Sequence, residues 1–292
     1  MQIELIETFL DLCETRSFNR TADRLGVTQS TVSGRIRALE STLGHRLFIR
    51  SRAGTELSTE GLRFAPHARG LLLSWTEARH AVRDTGGAMM MRIGLQHDLV
   101  NRHFTDLIGT FRRAMPDTAF FFEADYSAQM STDLTTGSED FAILFSPRFH
   151  PDLYFETLGE LAYAMVSTET DRLAEVRKER YILPHFSDAL PQVHAQLHPA
   201  LTTASLSIGQ NAAMVALLRS LGGTAYVQAE SAAELAAEGT ARAVTDAPMI
   251  PLPVYAGVHV RNRHRSAHRR LLQMVRAHFA ETYPPRRSHA RG

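Results

Sequence analysis

Residues 17–52 read SFNRTADRLGVTQSTVSGRIRALESTLGHRLFIRSR. The stretch divides into a helix, a tight turn at Gly26, a second helix and a basic strand. Two helices meeting at a steep angle need a short turn, and glycine enters the left-handed region without a Cβ penalty. Thr28 is placed to cap the second helix, because its hydroxyl can accept from a backbone N–H one turn on. Over 29–43, Val32, Ile36, Leu39 and Leu43 recur at spacings of three and four and form the buried face. The outer face carries Gln29, Ser30, Thr31, Ser33, Arg35 and Arg37, side chains suited to base edges and phosphates in a major groove. A helical hairpin in an ordinary bundle shares the bare pattern, so charge has to decide.

Residues 15–52 hold eight arginines against Asp23 and Glu40, a net +6. The preceding helix carries Glu4, Glu7, Asp11 and Glu14 on a stripe opposite Ile3, Ile6, Phe9, Leu10 and Cys13. Phosphate repels such a stripe, so it is expected to face away from nucleic acid. After the second helix, residues 45–50 read as a strand with Leu47 and Ile49 inward. A turn at 52–55 then completes a wing, which sets Arg50 and Arg52 beside the DNA backbone.

From Thr59 to Arg83 the pattern is one long helix with a seam of Leu62, Ala65, Leu72, Trp75, Ala78 and Val82, flanked by Ala68 and Leu71. Such a seam on so small a domain calls for a partner helix, so this segment is read as a dimerisation helix. Pro66 should lie near its start or kink it. Residues 85–88 break the helix and form a hinge. Beyond 88, strands and helices alternate. Strands are expected at 91–95, 120–122 (buried), 140–145, 161–167, 181–184, 224–228 and 255–260. Helices are expected at 104–115, 127–134, 211–221, 232–238 and 268–282. This order implies a mostly parallel sheet with helices on both faces.

The 292 residues carry a net charge of +1 that conceals a basic front, an acidic middle and a basic end. Residues 89–260 hold 20 acids against 11 bases, and residues 261–292 nine arginines against Glu281. The last ten residues read as a solvated tail, and His264, His268, Arg269 and Arg270 as a solvated basic face. Cys13 is the only cysteine, which excludes an internal disulfide and a cysteine metal cluster. No run approaches a membrane span and the N-terminus has no signal pattern, so a cytoplasmic location is expected. The fourteen histidines, among them His97, His103, His150, His185, His194, His198 and His259, show no metal-ligand spacing. No nucleophile elbow, phosphate loop or dinucleotide fingerprint occurs. Neither a metal, a cofactor nor an enzymatic activity is therefore expected.

Together these residues resemble the LysR-type transcriptional regulators. The resemblance rests on the SF pair at 17–18, the A-x-x-L-x-V-x-Q-x-x-x-S-x-x-I-x-x-L-E core, the L-G-x-x-L-F-x-R wing and the LSTEG that follows. MRIGLQ, EDFAIL and LLRSLGGTAYVQ echo the family's sensor half, with Leu221 and Gln228 where glycine and proline are usual. The resemblance implies an α/β chain in three parts. A winged helix-turn-helix spans 1–58, and a linker helix with hinge spans 59–88. A periplasmic-binding-protein-like sensor of two subdomains spans 89–292: subdomain I at 89–160 and 254–282, subdomain II at 161–253, and a tail at 283–292. Two crossing strands join the subdomains, stiffened by Pro248, Pro251 and Pro253. The implied effector cleft is lined by His97, Asp98, Tyr126, Ser127, Ser146, His185, Phe186 and Ser187. Asp98 is an awkward residue for an anion site. The implied partners are a pseudo-palindromic DNA site, a small-molecule effector with small organic acids among the candidates, and further copies of the chain as dimer or tetramer. Two alternatives stay open: the same regulator without a ligand, and a solute-binding or enzymatic α/β protein.

Overall fold

The computed structural model describes residues 2–51, 54–83 and 89–283. The chain divides into two compact units, one over 1–88 and 135–138 and one over 89–134 and 139–292.

In the N-terminal unit, α1 (Ile3–Thr15), α2 (Phe18–Leu25) and α3 (Gln29–Leu43) precede a two-stranded wing, β1 (Phe48–Ser51) and β2 (Gly54–Leu57), and the long helix α4 (Thr59–Arg83). Gly26 ends α2 at φ +64°, and Ser17 and Thr28 cap α2 and α3 through their hydroxyls. Val32, Ile36 and Leu39 are buried as their spacing requires. The inner face of α1 differs from the expected stripe. Leu5, Ile6, Thr8, Phe9, Asp11 and Leu12 are buried, while Ile3, Leu10 and Cys13 flank the core. Asp11 tolerates burial because Arg24 reaches it from α2 at 2.8 Å and also holds Glu14 at 3.1 Å. Burial pushes the Cys13 thiol up to about 12, which leaves it an inert packing group.

The wing is shifted from expectation. The strand begins at Phe48, so Phe48 turns inward and Ile49 is 56 % exposed. The reason is local: Glu40 Oε1 accepts from the N–H groups of Leu47 and Phe48, so Leu47 serves as an anchor ahead of the strand. Phe48 and Phe64 both pack on Phe9, at ring distances of 5.4 and 5.2 Å. The seam of α4 divides. Ala65, Ala68 and Leu72 belong to the unit's own core, whereas Leu62, Leu71, Trp75, Ala78 and Val82 are exposed. Pro66 lies inside the helix, in its second turn. Arg52, residues 85–88 and residues 284–292 lie outside the described residues, as does the side chain of Arg50.

The C-terminal unit is built on one sheet of nine described strands. In chain order its elements are β3 (Met89–Gln96), α5 (His97–Ala114), β4 (Thr118–Asp125), α6 (Ser127–Thr136), β5 (Phe141–Leu144), β6 (Leu153–Ser167), β7 (Tyr181–Pro184), α7 (Leu190–Leu197), β8 (Leu206–Ile208), α8 (Asn211–Leu221), β9 (Thr224–Gln228), α9 (Ala229–Ala237), β10 (Arg242–Ala243), β11 (Ile250–His259) and α10 (Ser266–Thr282). The sheet order is β4-β3-β5-β11-β6-β9-β7-β8, with β10 also on β6. It is mixed rather than mostly parallel. The pairs inside each lobe, β3 with β4 and β5 and β7 with β8 and β9, are parallel, while the long β6 and β11 run antiparallel from Ile250↔Tyr163 to His259↔Leu153.

These two strands pass from one lobe to the other. β5 pairs β11 only at 255–257, so Pro251 and Pro253 fall where β11 has β6 as its strand partner among the described residues, an edge-like place that suits proline. β4 is an edge strand, so Phe121 is 46 % exposed and Phe120 and Phe122 are only half-buried. His268 is buried on the inner face of α10, not solvated, and burial lowers its pKa to about 4. The helix α7 and the strands β8 and β10 complete the second lobe and were not legible in the pattern. Removing the Phe9 ring should destabilise the N-terminal unit by about 3–5 kcal/mol, read as an earlier urea transition in Phe9→Ala.

Candidate nucleic-acid interface and inter-lobe cleft

The outer face of α3 begins at its cap. Thr28 Oγ1 accepts from the Thr31 N–H at 3.2 Å and shares hydrogen bonds of 2.8 Å with the hydroxyls of Ser30 and Thr31. These three hydroxyls organise the first turn. Gln29, Ser30, Thr31 and Arg37 are exposed, and Ser33 is half-buried. Arg37 is steadied by donating Nε–H to the Ser33 carbonyl at 3.2 Å, with its guanidinium in solvent. Arg35 is turned partly inward and donates to Thr8 Oγ1 at 3.2 Å, so it braces α3 on α1. A groove of about 520 Å³ runs between α3 and the wing, with Ser33, Arg37, Arg46 and Ile49 along it. Arg46 is exposed there, on the outward side the sequence pattern gives it, and belongs with the candidate set. The acids of α1 are not a uniform solvated stripe, since Arg24 neutralises two of them.

The cleft of the second unit lies where the strands of both lobes end. Its candidates fall into three groups. Asp98 and Ser127 are buried and fully engaged. The Ser127 hydroxyl donates to Gln96 Oε1 at 2.8 Å and accepts from the N–H groups of Phe145 and Ser146 at 3.1 Å each, which exhausts its donor and fills its acceptor sites. Phe186 and Ser187 are also buried: Phe186 stacks on the Tyr163 ring at 5.0 Å, and Ser187 accepts from Leu190 N–H at the start of α7. His97 and Tyr126 pack edge to face at 4.9 Å, with Tyr126 44 % exposed. His185 is exposed. Among the described residues, the buried Ser146 hydroxyl has no hydrogen-bond partner.

Sequence reasoning missed the groups that join the lobes. Gln96 Nε2 donates to the Phe186 carbonyl at 3.4 Å. Asp98 Oδ1 accepts from Asn211 N–H at 2.7 Å, and Oδ2 from the Tyr163 hydroxyl at 3.2 Å. Gln228 donates its Nε2 to the Asp98 carbonyl and its N–H to Asn211 Oδ1. Arg102 pairs with Glu234 at 2.8 Å across the mouth of a cavity of about 300 Å³ that also touches Asp98, Asn101, Asn211 and Gln228. The signal for Gln228 was its departure from the proline usual at that place. Burial pushes the Asp98 carboxyl up to about 6, against the opposing pull of the Asn211 N–H and the Tyr163 hydroxyl. Among the described residues no group of histidine, cysteine and carboxylate side chains could hold a metal ion, and no helix is long and apolar enough to cross a membrane.

A winged helix-turn-helix followed by a two-lobed α/β domain with crossing strands defines the class of the chain. The bacterial regulatory helix-turn-helix protein description of the lysR family matches residues 3–62, and the LysR substrate binding domain matches residues 85–280. The chain belongs to the LysR family of transcriptional regulators. The HTH-type transcriptional regulator HdfR of Salmonella dublin is 28 % identical over 264 residues, covering 88 % of this chain and 91 % of that protein. The fold is shared with ArgP of Mycobacterium tuberculosis (TM-score 0.55, 20 % identity, 96 % of this chain and 97 % of that one). It is also shared with LysG of Corynebacterium glutamicum with bound effector Arg (0.56, 16 %, 96 % and 99 %) and with DarR of Vibrio fischeri in complex with DNA (0.56, 19 %, 94 % and 98 %).

A carboxyl whose folded pKa is raised binds its proton more tightly folded than unfolded. The stability it contributes is full below the unfolded value near 3.8 and is lost as pH rises to about 6. Asp98→Asn has the shape of the protonated form and keeps an acceptor for Asn211. Its melting temperature relative to wild type should therefore climb between pH 4 and 6 and level off above; a flat difference would contradict the assignment.

Proposed function

We propose that this chain binds a pseudo-palindromic promoter site as a homo-oligomer and that the placement of its two lobes, shifted by a small-molecule effector, alters promoter binding or bending. The observation that carries the DNA reading is the outer face of α3: Gln29, Ser30, Thr31 and Arg37 stand exposed on a capped helix beside a wing, with Arg46 across the groove. Gln29 suits a bidentate contact to adenine, and Arg37 and Arg46 suit phosphate or guanine. Arg50 and Arg52, the wing arginines of the sequence reading, are proposed to meet the DNA backbone beside them. Arg35, Ser33 and the Thr28 network support the helix that presents them. DarR, of the same fold, is in complex with DNA, and HdfR is a transcriptional regulator by name. Such a protein works in the cytoplasm, where the chromosome is.

The exposed apolar residues of α4, with Trp75 among them, are the surface we assign to self-association. An effector would bind where the lobes meet, near His97, Tyr126, Ser146 and His185, the candidates that keep exposed or unengaged groups. LysG, of the same fold, carries Arg as effector. A second reading, regulation without any ligand, is favoured by one observation: Phe186 is fully buried on Tyr163 and fills part of the cleft.

Fluorescence anisotropy on promoter fragments and random DNA over a range of salt tests the DNA reading. Arg37→Ala should weaken both kinds of DNA and lower the salt slope by about 1, and Gln29→Ala should cost about 1–3 kcal/mol on the promoter site alone. Equal affinity for promoter and random DNA, unmoved by either variant, would contradict it. Trp75→Glu should shift the chain toward monomer in analytical ultracentrifugation, and an unchanged oligomer would remove α4 from the interface.

A further inference from the structure

The start of α10 gathers positive charge where a helix already presents it. Its cap position is Arg265, which makes no side-chain cap bond, and its first turn holds Arg269 and no acid. A helix N-terminus favours acids, because its free N–H groups leave partial positive charge there. Arg261 and Arg263 stand in the turns just before it, exposed like Arg269 and Arg270. The end of α5 lies alongside: Arg270 Nη2 donates to the Ala114 carbonyl at 2.6 Å, and Arg112 and Arg113 are exposed in the last turn of that helix. Arg112, Arg113 and Arg270 suit a helix C-terminus, so the fold itself accounts for them. Arg263 lies over the Tyr154 ring at 3.7 Å. Arg261 and Arg269 have no such use within the described residues. Of the acids near this end, Asp152 stands 3.6 Å from His150 and Glu156 pairs with Arg276 at 2.6 Å, so both are engaged, while Asp117 is exposed after α5.

A second observation is independent of the surface charge. His268, in the first turn of α10, and Asn262, in the turn before it, are each 4 % exposed. Among the described residues, both ring nitrogens of His268 and the Asn262 Oδ1 have no hydrogen-bond partner. Arg265 stands close enough that its charge, after burial itself, opposes protonation of the His268 ring. Buried polar atoms are ordinarily paired. Here three bare ones fall within one loop and one helix turn, at the end that carries the arginines.

The partner that fits is a polyanion. An arginine fork matches a phosphate, and a duplex offers phosphates in close succession. A protein partner would need an apolar centre to the contact, and among the described residues of 259–270 Val260 is the one large apolar side chain that is exposed. A single strand would need free aromatic faces for its bases, and Arg263 already covers Tyr154. We propose that the start of α10 is a second face for duplex DNA, where Arg261, Arg263 and Arg269 meet backbone phosphates outside the half-sites that α3 reads. This rests on the reading of the chain as a DNA-binding protein. The face adds affinity and salt dependence but no base recognition.

The test is fluorescence anisotropy of the full chain over a range of salt. One duplex is the promoter site trimmed to its half-sites, and the other is extended at each end by about two helical turns of random sequence. Wild type should show a steeper salt slope on the extended duplex. The double variant Arg261→Gln with Arg269→Gln should bind the trimmed duplex as wild type does and lower the slope on the extended one by about 2 for each copy engaged. Arg261→Lys with Arg269→Lys keeps the charge and should keep the slope. Equal slopes of wild type on the two duplexes overturn the proposal. So does a glutamine variant that matches wild type on the extended duplex, the result expected if the face serves an acidic protein instead. Equal loss on both duplexes, or loss in the lysine pair, also overturns it. Phosphate contacts carry no sequence, so the glutamine variant should lose the same slope on random DNA of the extended length. Missing promoter selectivity would therefore sink the reading of α3 and leave this readout standing.

Discussion

The contact between Asp98 and the start of α8 is the constraint on which the arrangement of the C-terminal unit depends. The lobes share the crossing strands β6 and β11 and one continuous apolar core, to which Leu95 and Leu99 of the first lobe and Phe186 and Met214 of the second belong. To these is added a set of short polar bonds at the strand ends, most of them buried. Each group in that set is satisfied by the others, so removing one leaves a buried donor or acceptor bare, at a cost of about 1–3 kcal/mol. Exposed pairs such as Arg102 with Glu234 add little, since solvent screens them. The cleft therefore responds to whatever competes for a few hydrogen bonds, which is the scale on which a small molecule acts.

The N-terminal unit solves a different problem. Its reader helix must be held rigidly while presenting polar side chains outward. Phe9 supplies the pivot, with Phe48 of the wing and Phe64 of α4 packed on it, so the wing, α1 and the start of the long helix move as one body. Arg24 and Arg35 spend their charge on Asp11, Glu14 and Thr8 inside the unit. The free basic edge is correspondingly narrower than eight arginines imply. Among the described residues, Arg37 and Arg46 line its groove.

Much of this was legible because local rules decided it. Thr28 caps α3 as its position in the sequence implies, and the alternation beyond residue 88 leads to the strands around β3, β5, β7 and β9. Errors arose where a tertiary contact overrode the local pattern. The local pattern points Ile49 inward, but the hold of Glu40 on Leu47 and Phe48 sets the true phase, with Phe48 in and Ile49 out. In the phenylalanine run at 120–122, Phe120 and Phe122 pack half-buried on the core as the pattern reads, while Phe121 is exposed on the edge strand. His268 reads as part of a basic surface, yet the helix turns it inward. The cleft was the least legible region. His97, Asp98, Ser127 and Phe186 were named, but the partners that decide what each can do lie far along the chain: Tyr163, Asn211 and Gln228 for Asp98, and Gln96 for Ser127 and Phe186. No spacing rule brings position 98 to position 211.

The measurement that bears most directly on the account is DNase footprinting of the full chain on the DNA upstream of its own gene, at fixed salt, with and without a pool of small metabolites. The account predicts two protected half-sites related by a dyad and spaced about one helical turn (~34 Å) or a multiple of it, with a protection pattern that shortens or shifts when the metabolites are present. Diffuse protection without a dyad, abolished by moderate salt on every fragment tried, would contradict it.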